Sequence, residues 1–393
     1  MSSIRILDEG TPKQRYQVTY EIKMLNGGRK RKSKTFPPKT PIGVIRKFQR
    51  EQDVKYDRSS GIVVEGVNLQ TVFEDYFLPL YEDQYSPSTI EGYKKAMYVE
   101  ETGLVNYFQD TPLDKITVAM AQNYITMLKK KGLSPKTIKN KLLVLSALFE
   151  RARKLQLVEA SLPNPVSLCE FPRGKKERIE AYTPDELKKL LTLVKEKKNP
   201  VTTMIVFLAS LAGLRRSEIC GLKVDDIDFE NNSIHVSRAR IYGGEKNSYV
   251  VKGTKSDAGD RTIFCPTPLM DVLRMGAIRY KELQLRNGRQ FKGEGFIVCY
   301  DDGSPISPNN VSSRYSRFVK DNEDKIRYLS LHKLRHTYAS ISLAATSGDV
   351  KSVQESLGHS SAKMTLDIYG HAYQERKVQQ AKLLEKAVFS DII

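Results

Sequence analysis

The stretch Leu331-His-Lys-Leu-Arg-His-Thr-Tyr-Ala-Ser340 places a histidine and an arginine three residues apart. In a helix this spacing puts His332 and Arg335 on one face. The apolar and aromatic members of the stretch fall on the other face: Leu331, Leu334 and Tyr338. His336 lies off the shared face, which indicates a structural role. The stretch therefore predicts a helix that presents one histidine and one arginine together.

Three further motifs carry related side chains: Gly213-Leu-Arg-Arg-Ser-Glu218, Leu357-Gly-His359 and Tyr369. Arginine matches phosphate oxygens with a planar fork and stays charged. Histidine transfers protons near neutral pH, and a tyrosine hydroxyl can become a covalent carrier. Each motif alone is a weak signal, since Arg–Glu pairs are common on surfaces and Tyr369 is one of 20 tyrosines. Together they are the groups needed to break a phosphodiester without a metal, which indicates DNA strand transfer.

The local pattern around these motifs predicts helix ends. Arg215 follows a buried helix that ends at Gly213, and it precedes a new helix whose positive N-terminal end favours phosphate. An amphipathic helix begins near Asp349 and stops at the glycine before His359. A histidine at such a helix end, taken by itself, is structural or caps the dipole.

Length and composition limit the class of protein. A chain of 393 residues is longer than one hydrophobic core ordinarily accommodates, so two or three domains are expected. The longest apolar segment, Val201 to Leu214, is too short and too interrupted to span a membrane and predicts a buried helix. The first ten residues lack the apolar region of a secretion signal. The cysteines have no paired spacing, which argues against zinc or disulfides and fits a reducing cytoplasm: Cys169, Cys220, Cys265 and Cys299.

The charge of the chain favours a polyanionic partner. The net charge is +18, from 64 basic and 46 acidic side chains. Such an excess suits nucleic acid or an anionic membrane surface. Residues 1–50 hold 13 Lys and Arg against three Asp and Glu. Charge concentrated in this way indicates a contact surface.

The N-terminal segment alternates as strands do. A strand beginning at Tyr16, a turn at Gly27-Gly28 and a second strand from Lys30 to Phe36 predict a hairpin. Pro41 to Asp57 predicts an amphipathic helix with four apolar residues on one side: Val44, Ile45, Phe48 and Val54. Three lysines share one face of the second strand: Lys30, Lys32 and Lys34. This face is either a DNA-groove surface or a solvated strand.

The middle of the chain reads as helices after a linker at Gly61 to Asn68. Helical periodicity extends from Leu69 to Leu157, with start signals at Ser86-Pro87 and Ser134-Pro135. The last of four helices carries an inward apolar stripe: Ile138, Leu142, Leu145, Leu148 and Phe149. Its basic residues face elsewhere: Lys136, Lys139, Lys141, Arg151, Arg153 and Lys154. These basic residues either solvate the helix or contact phosphate.

The same patterns divide the chain into segments. We expect a small basic sheet with one helix at 1–62, a helical bundle at 67–165, a basic linker at 166–180 and a mainly helical domain at 181–393. Thr183-Pro-Asp-Glu186 opens the last domain with a capping box, and a hairpin region follows from Ile234 to Ile263. The predicted class is multidomain α+β.

The combined patterns resemble the tyrosine recombinases, specifically the phage and conjugative-transposon integrases. The matching patterns are Gly-Leu-Arg-Arg-x-Glu, His-x-x-Arg-His-Thr, Leu-Gly-His-Ser-Ser, and Thr365 four residues before Tyr369-x-His371. The resemblance is clearest over residues 180–375. It implies an arm-type DNA-binding domain, a SAM-like core-DNA-binding bundle and a catalytic domain with a small β-hairpin sheet. It also implies cleavage through a 3′-phosphotyrosyl intermediate, which integrates and excises a mobile element.

The resemblance implies a catalytic role for six residues: Arg215, Lys255, His332, Arg335, His359 and Tyr369. Tyr369 would attack the phosphate, and the two arginines would clamp its non-bridging oxygens. His359 would donate a further hydrogen bond there, and His332 would carry the proton.

The hairpin lysine implied by the family matches Lys255, which would protonate the leaving 5′-oxygen, and Lys252 is a close alternative. Glu218 would orient Arg215 or a histidine. The resemblance implies no cofactor and no metal, and the sequence has no Walker motif or two-metal carboxylate cluster.

Two other functions use the same residues. A type IB topoisomerase would relax DNA by similar chemistry, and a DNA-binding regulator could sit on an inactive recombinase scaffold. The basic N-terminal sheet favours an integrase over the first, and the full set of catalytic residue types disfavours the second.

The implied partners are double-stranded DNA at core and arm sites, a homotetramer on DNA, and an excisionase or a host DNA-bending protein, with no membrane. The implied location is the bacterial cytoplasm, on the nucleoid. An amphipathic helix after Tyr373 packs either on its own domain or on a neighbouring protomer.

Overall fold

The computed structural model describes residues 2–11, 13–23, 29–57, 67–174, 180–243, 248–253, 259–359 and 361. The chain forms two compact units, Met1–Lys176 and Glu177–Ile393. Each unit is described by itself below.

The N-terminal part is a three-stranded antiparallel sheet with one helix. The strands follow the order β1-β2-β3 and are β1 (Ser3–Leu7), β2 (Arg15–Lys23) and β3 (Arg29–Phe36). The two later strands confirm the predicted hairpin, whose turn at Gly27-Gly28 lies outside the described residues. Strand β1 was missed because five residues give too short an alternation to stand out.

Helix α1 (Ile42–Asp57) packs on one face of this sheet. Ile45 is fully buried against Val18 and Phe36, and Phe48 packs beside them, as the helical periodicity predicts. Val44 is 51% exposed, so its predicted place on the buried side is wrong. Helix α1 therefore buries a narrower stripe of side chains than the periodicity predicted.

The rest of the first unit is a helical bundle. Its helices are α2 (Leu69–Thr71), α3 (Leu78–Tyr81), α4 (Pro87–Tyr98), α5 (Leu104–Phe108), α6 (Val118–Lys130) and α7 (Pro135–Lys154), and a π-helical stretch, Val72–Phe77, joins the first two. Ser134 caps α7 by accepting a hydrogen bond from the Thr137 N–H. All five predicted inward residues of α7 are buried. Lys141 is buried too, contrary to its predicted outward position, because its Nζ donates to the Thr102 carbonyl at 2.8 Å.

The second unit is mainly helical. Its helices are α8 (Pro184–Glu196), α9 (Pro200–Leu211), α10 (Arg216–Gly221), α11 (Thr267–Asn287), α12 (Pro308–Lys320), α13 (Leu331–Ala345) and α14 (Val350–Leu357). The predicted capping box at Thr183 is present, with Glu186 bonded in both directions. Helix α9 is buried from Val201 to Ser210, which confirms the predicted core helix. It contacts α8, α10, α11, α12 and α13.

Two small sheets complete this unit. β4 (Ile227–Asp228), β5 (Ser233–Val236) and β8 (Arg261–Phe264) form one antiparallel sheet in the order β4-β5-β8. β6 (Arg238–Tyr242) and β7 (Tyr249–Gly253) form the other. Among the described helices, none combines the length and apolarity that a bilayer crossing requires.

Candidate active site

Arg215 stands at the N-terminus of α10, immediately after a tight turn. Gly213 makes this turn with φ of +63°, and a Cβ at Gly213 would lie only 2.6 Å from a ring carbon of Tyr338. The Arg215 guanidinium donates from Nη1 to Glu218 Oε1 at 2.6 Å and from Nη2 to the Gly358 carbonyl at 2.9 Å. Its side chain remains 36% exposed. The guanidinium is thus held by Glu218 and the Gly358 carbonyl, and its exposed part is open to a ligand.

Arg335 is the buried partner of this arginine. It is 2% exposed on α13, where it donates from Nη1 to the Gly213 carbonyl at 2.6 Å and from Nη2 to the Leu357 carbonyl. Burial and the charge of Arg215 lower the pKa of the guanidinium. Arginine nevertheless stays protonated at any working pH because its charge is delocalised. The site therefore holds two permanent positive charges.

Glu218 lies beneath the arginines with 3% of its side chain exposed. It accepts the Arg215 backbone N–H at 2.8 Å, and it also pairs with Arg261 Nη2 at 3.0 Å and approaches Arg335 Nη1 at 3.9 Å. Burial would raise the pKa of this carboxyl, but Arg261 and Arg215 hold it below its usual value. The carboxylate is therefore ionised, and it accepts hydrogen bonds from both the backbone and the guanidinium of Arg215.

His359 follows the last turn of α14. Asp349 caps the start of this helix, and Gly358 ends it in the left-handed conformation at φ of +64°, as the sequence predicts. His359 is 6% exposed, and its backbone N–H bonds to the Gln354 carbonyl at 3.1 Å. Burial, then the charges of Arg335 and Arg215, lower its pKa to about 4. The imidazole is neutral at pH 7 and offers one N–H donor.

His332 lies in the first turn of α13 and is exposed to solvent. Its pKa is lowered by partial burial of the ring and by the charges of Arg335 and Arg215. Because the residue is exposed and the ring keeps part of its hydration, the nearby positive charges contribute to this shift alongside burial. His336 lies one turn further on, with its ring centroid 4.7 Å from that of His332. His336 is therefore closer to the shared face than the sequence predicted.

The structure brings five of the predicted residues together: Arg215, Glu218, His332, Arg335 and His359. Lys255 and Tyr369 lie outside the described residues. No group of three or more His, Cys, Asp or Glu side chains in the described part of the chain could hold a metal ion.

Arg261 was missed from the sequence. It is 8% exposed on β8 and bonds both oxygens of Glu218. Arg261 lies six residues after Lys255, but nothing in the sequence singled it out, because a pairing across 43 residues leaves no local pattern.

The predicted basic face of the N-terminal sheet is the face that packs on α1. Lys34 pairs in register with buried Val18, and its Nζ lies 4.5 Å from the ring centroid of Phe48. Lys32 lies on the same face by alternation, and the side chain of Lys30 is outside the described residues. Helix α1 thus covers part of this face, while Lys34 itself remains exposed.

The opposite face of the sheet is uncovered by α1. The Gln17 amide reaches Ser33 and Thr35 there, at 3.5 and 3.3 Å. Alternation puts Arg5 and Arg31 on this same face, and both are exposed.

Lys136 and Lys139 are exposed near the start of α7. Neither makes an ion pair with a residue in the described ranges. Their position leaves both charges accessible to a phosphate backbone.

Comparison with known proteins assigns the chain to a family. Residues 180–376 match the phage integrase family, and residues 73–155 match the N-terminal SAM-like domain of phage integrases. The chain belongs to the phage integrase family. The resemblance to tyrosine recombinases is thereby confirmed, as is the multidomain α+β class.

Relatives in this family include integrases of mobile elements. The ICEBs1 integrase of Bacillus subtilis (strain 168) is 26% identical over 295 residues, 75% of this chain and 77% of the relative. The XerC-like tyrosine recombinase of Caldanaerobacter subterraneus subsp. tengcongensis is 27% identical over 311 residues, 74% and 78% of the two chains. The transposase of transposon Tn916 from Enterococcus faecalis is 27% identical over 216 residues, 52% and 51% of the two chains.

Solved structures share the fold. The Tn1549 transposon integrase in complex with transposon right end DNA superposes with a TM-score of 0.65 at 23% identity, covering 79% of this chain and all of the other. A lambda integrase dimer bound to a core site has a TM-score of 0.55 at 17% identity and covers 93% of each chain.

The family places the chain among enzymes that cleave and rejoin DNA. The chain is a tyrosine-type site-specific DNA recombinase of the integrase kind, which cuts and rejoins DNA strands. This favours the integrase interpretation over the topoisomerase and the inactive regulator.

Proposed function

We propose that Tyr369 is the nucleophile of this recombinase and that the cluster around Glu218 is its phosphate-binding site. The observation that carries the proposal is the shared anchoring of Arg215 and Arg335 to Glu218 and to backbone carbonyls. Anchored guanidinia meet the developing charge of a transition state without reorganising. Since Glu218 supplies one negative charge, the two phosphate-binding arginines and Arg261 leave an excess of positive charge for a phosphodiester.

The two histidines supply the proton chemistry. Neutral His332 accepts the proton of the Tyr369 hydroxyl during attack and returns it during rejoining. Neutral His359 donates an N–H to a non-bridging oxygen. Lys255 protonates the leaving 5′-oxygen. The lowered pKa of His332 supports its role, since a protonated imidazole could not accept the phenolic proton. The lowered pKa of His359 leaves that imidazole neutral, with one N–H to donate.

We propose that three domains divide the contacts with double-stranded DNA. Residues 1–62 bind arm sites, 67–165 bind the core site through Lys136 and Lys139, and 181–393 perform the chemistry. Lambda integrase has been solved as a tetramer on a Holliday junction. The same homotetramer suits this chain, because recombining two duplexes requires four active sites.

We place the arm-site contact on the uncovered face of the N-terminal sheet. Arg5 and Arg31 lie there beside the small polar side chains of Ser33 and Thr35. A ribbon with this composition fits a DNA groove. An excisionase or a host DNA-bending protein would then act with the tetramer on the bacterial nucleoid.

The nucleophile is tested with a nicked attachment-site duplex. Wild-type protein should give a covalent protein–DNA band on a denaturing gel, and Tyr369→Phe should abolish the band while DNA binding is unchanged. Tyr373→Phe, four residues further on, is the matched control and should keep the band. A band that persists in Tyr369→Phe means that another tyrosine attacks. A band accompanied by supercoil relaxation without recombinants means a topoisomerase.

A further inference from the structure

Arg261 joins three segments around the phosphate-binding cluster. Its Nη1 and Nη2 contact Oε1 and Oε2 of Glu218 at 3.3 and 3.0 Å. Its Nε donates to the Ser356 carbonyl in the last turn of α14 at 2.7 Å, and its Nη1 donates to the Gly259 carbonyl at 3.1 Å. One side chain therefore contacts α10, α14 and the segment that leads into β8.

The fork of an arginine is required for this arrangement. The Arg261 and Glu218 side chains are 6% and 3% exposed, so water contributes little to either charge. A bidentate pair of this kind defines both the position and the plane of the carboxylate. A lysine would supply one point charge and could not bond both oxygens and two carbonyls.

The pairing also determines how much of Glu218 is shared with Arg215. Arg215 Nη1 bonds the same Oε1 that Arg261 Nη1 contacts. Arg261 is the buried counter-ion of Glu218, so the negative charge of Glu218 is shared between two arginines. Glu218 can therefore orient Arg215 without cancelling its positive charge. Without Arg261, the carboxylate would turn towards the two remaining arginines and draw Arg215 from its position.

We infer that Arg261 is a positioning residue, which acts through Glu218 to hold Arg215 in the geometry that binds the scissile phosphate. The inference rests on the proposed phosphate-binding role of Arg215. Arg261 itself touches no reacting atom, because its guanidinium is occupied by Glu218 and the two carbonyls.

The test is single-turnover cleavage of a nicked attachment-site duplex at saturating protein. Arg261→Gln should lower the rate constant about 10²-fold, the typical cost of a misplacement near 1 Å. Arg261→Lys should lower it by less. The amplitude of covalent product and the DNA affinity should stay within about twofold of wild type. Arg279→Gln is the matched control, since Arg279 is a 15% exposed arginine of α11 in the same unit and pairs with Asp301.

Two further experiments distinguish an action of Arg261 through Glu218 from an action on the general acid. Because Arg261 acts through Glu218, the double variant of Arg261→Gln with Glu218→Gln should cleave no more slowly than the slower single variant. The defect should be equally large on a substrate with sulfur as the leaving 5′ atom, which departs without a general acid. A defect that multiplies with Glu218→Gln, or that vanishes with sulfur, overturns the inference.

A purely structural role has a different signature. It would lower the product amplitude and the melting temperature and leave the rate constant of the active fraction unchanged, which also overturns the inference. Arg215→Ala is run in parallel. If Arg215→Ala cleaves at the wild-type rate, the proposed phosphate-binding site is wrong; if it fails while Arg261→Gln cleaves normally, only the role of Arg261 is wrong.

Discussion

Gly213→Ala should damage stability and catalysis together, because Gly213 lies where three elements meet. Its φ of +63° is a conformation that costs an alanine about 1–2 kcal/mol. The new Cβ would lie 2.6 Å from Tyr338 Cδ1 and 2.9 Å from Leu357 Cδ2, and such overpacking costs about 1–3 kcal/mol. The sum is about 2–5 kcal/mol.

The catalytic effect follows from the neighbours that must move. Tyr338 lies on α13 with Arg335, and Leu357 offers its carbonyl to the same arginine. The Gly213 carbonyl is the other partner of Arg335. A shift of these helices displaces the arginine, so we expect cleavage to slow about 10²-fold.

The assay combines thermal unfolding with single-turnover cleavage at 25 °C. For a unit of this size the melting temperature should fall by about 2–4 °C per kcal/mol, or roughly 4–20 °C in all. Gly288→Ala is the matched control, since Gly288 has φ of +51° with nothing within 4 Å of the added Cβ. It should lose only the backbone contribution and cleave normally. Equal melting temperatures and equal rates for the two variants would refute the packing argument.

Two further predictions concern charge. Replacing Arg5 and Arg31 by alanine should reduce the slope of log Kobs against log salt for arm-site DNA by about 0.9 for each phosphate that the protein no longer neutralises. Lys34→Ala, on the face that packs on α1, should reduce this slope less. A larger reduction for Lys34→Ala than for the arginine variant would place the DNA contact on the lysine face. The pKa values of His336 and His359, lowered to about 4, predict that stability rises with pH between about 4 and 6.5, since the unfolded chain binds more protons there. The melting temperature should therefore fall on acidification from pH 7 to 5, and a slope unchanged by His336→Gln would contradict this.

Local chemistry made much of the fold predictable. Ser134 with Pro135 and the Thr183 capping box marked helix starts that the structure confirms, because caps act within one turn. Apolar spacing likewise identified the buried helix α9. The same logic failed where a tertiary contact overrode it. Lys141 is buried because its ammonium group donates a hydrogen bond to a carbonyl 39 residues away.

The face of the N-terminal sheet shows the same limit. Alternation correctly put Lys32 and Lys34 on one side of β3, but it carries no information about which side a helix will cover. That depended on the packing of Ile45 and Phe48 against Val18. Alternation therefore shows which residues share a face of a strand, but it does not show which face remains open to solvent.

The sequence by itself determined which functional groups this protein offers: its arginines, histidines and tyrosine suit phosphate chemistry, and their order and spacing resemble those of the tyrosine recombinases, a resemblance that the family match confirms. Only the tertiary structure decided how those groups are held. Arg335 bonds a carbonyl 122 residues away, and Arg261 pairs with Glu218 across 43. The folded path of the chain determines which groups lie close to each buried side chain. A buried charge is stable only where that path places a partner within hydrogen-bond distance.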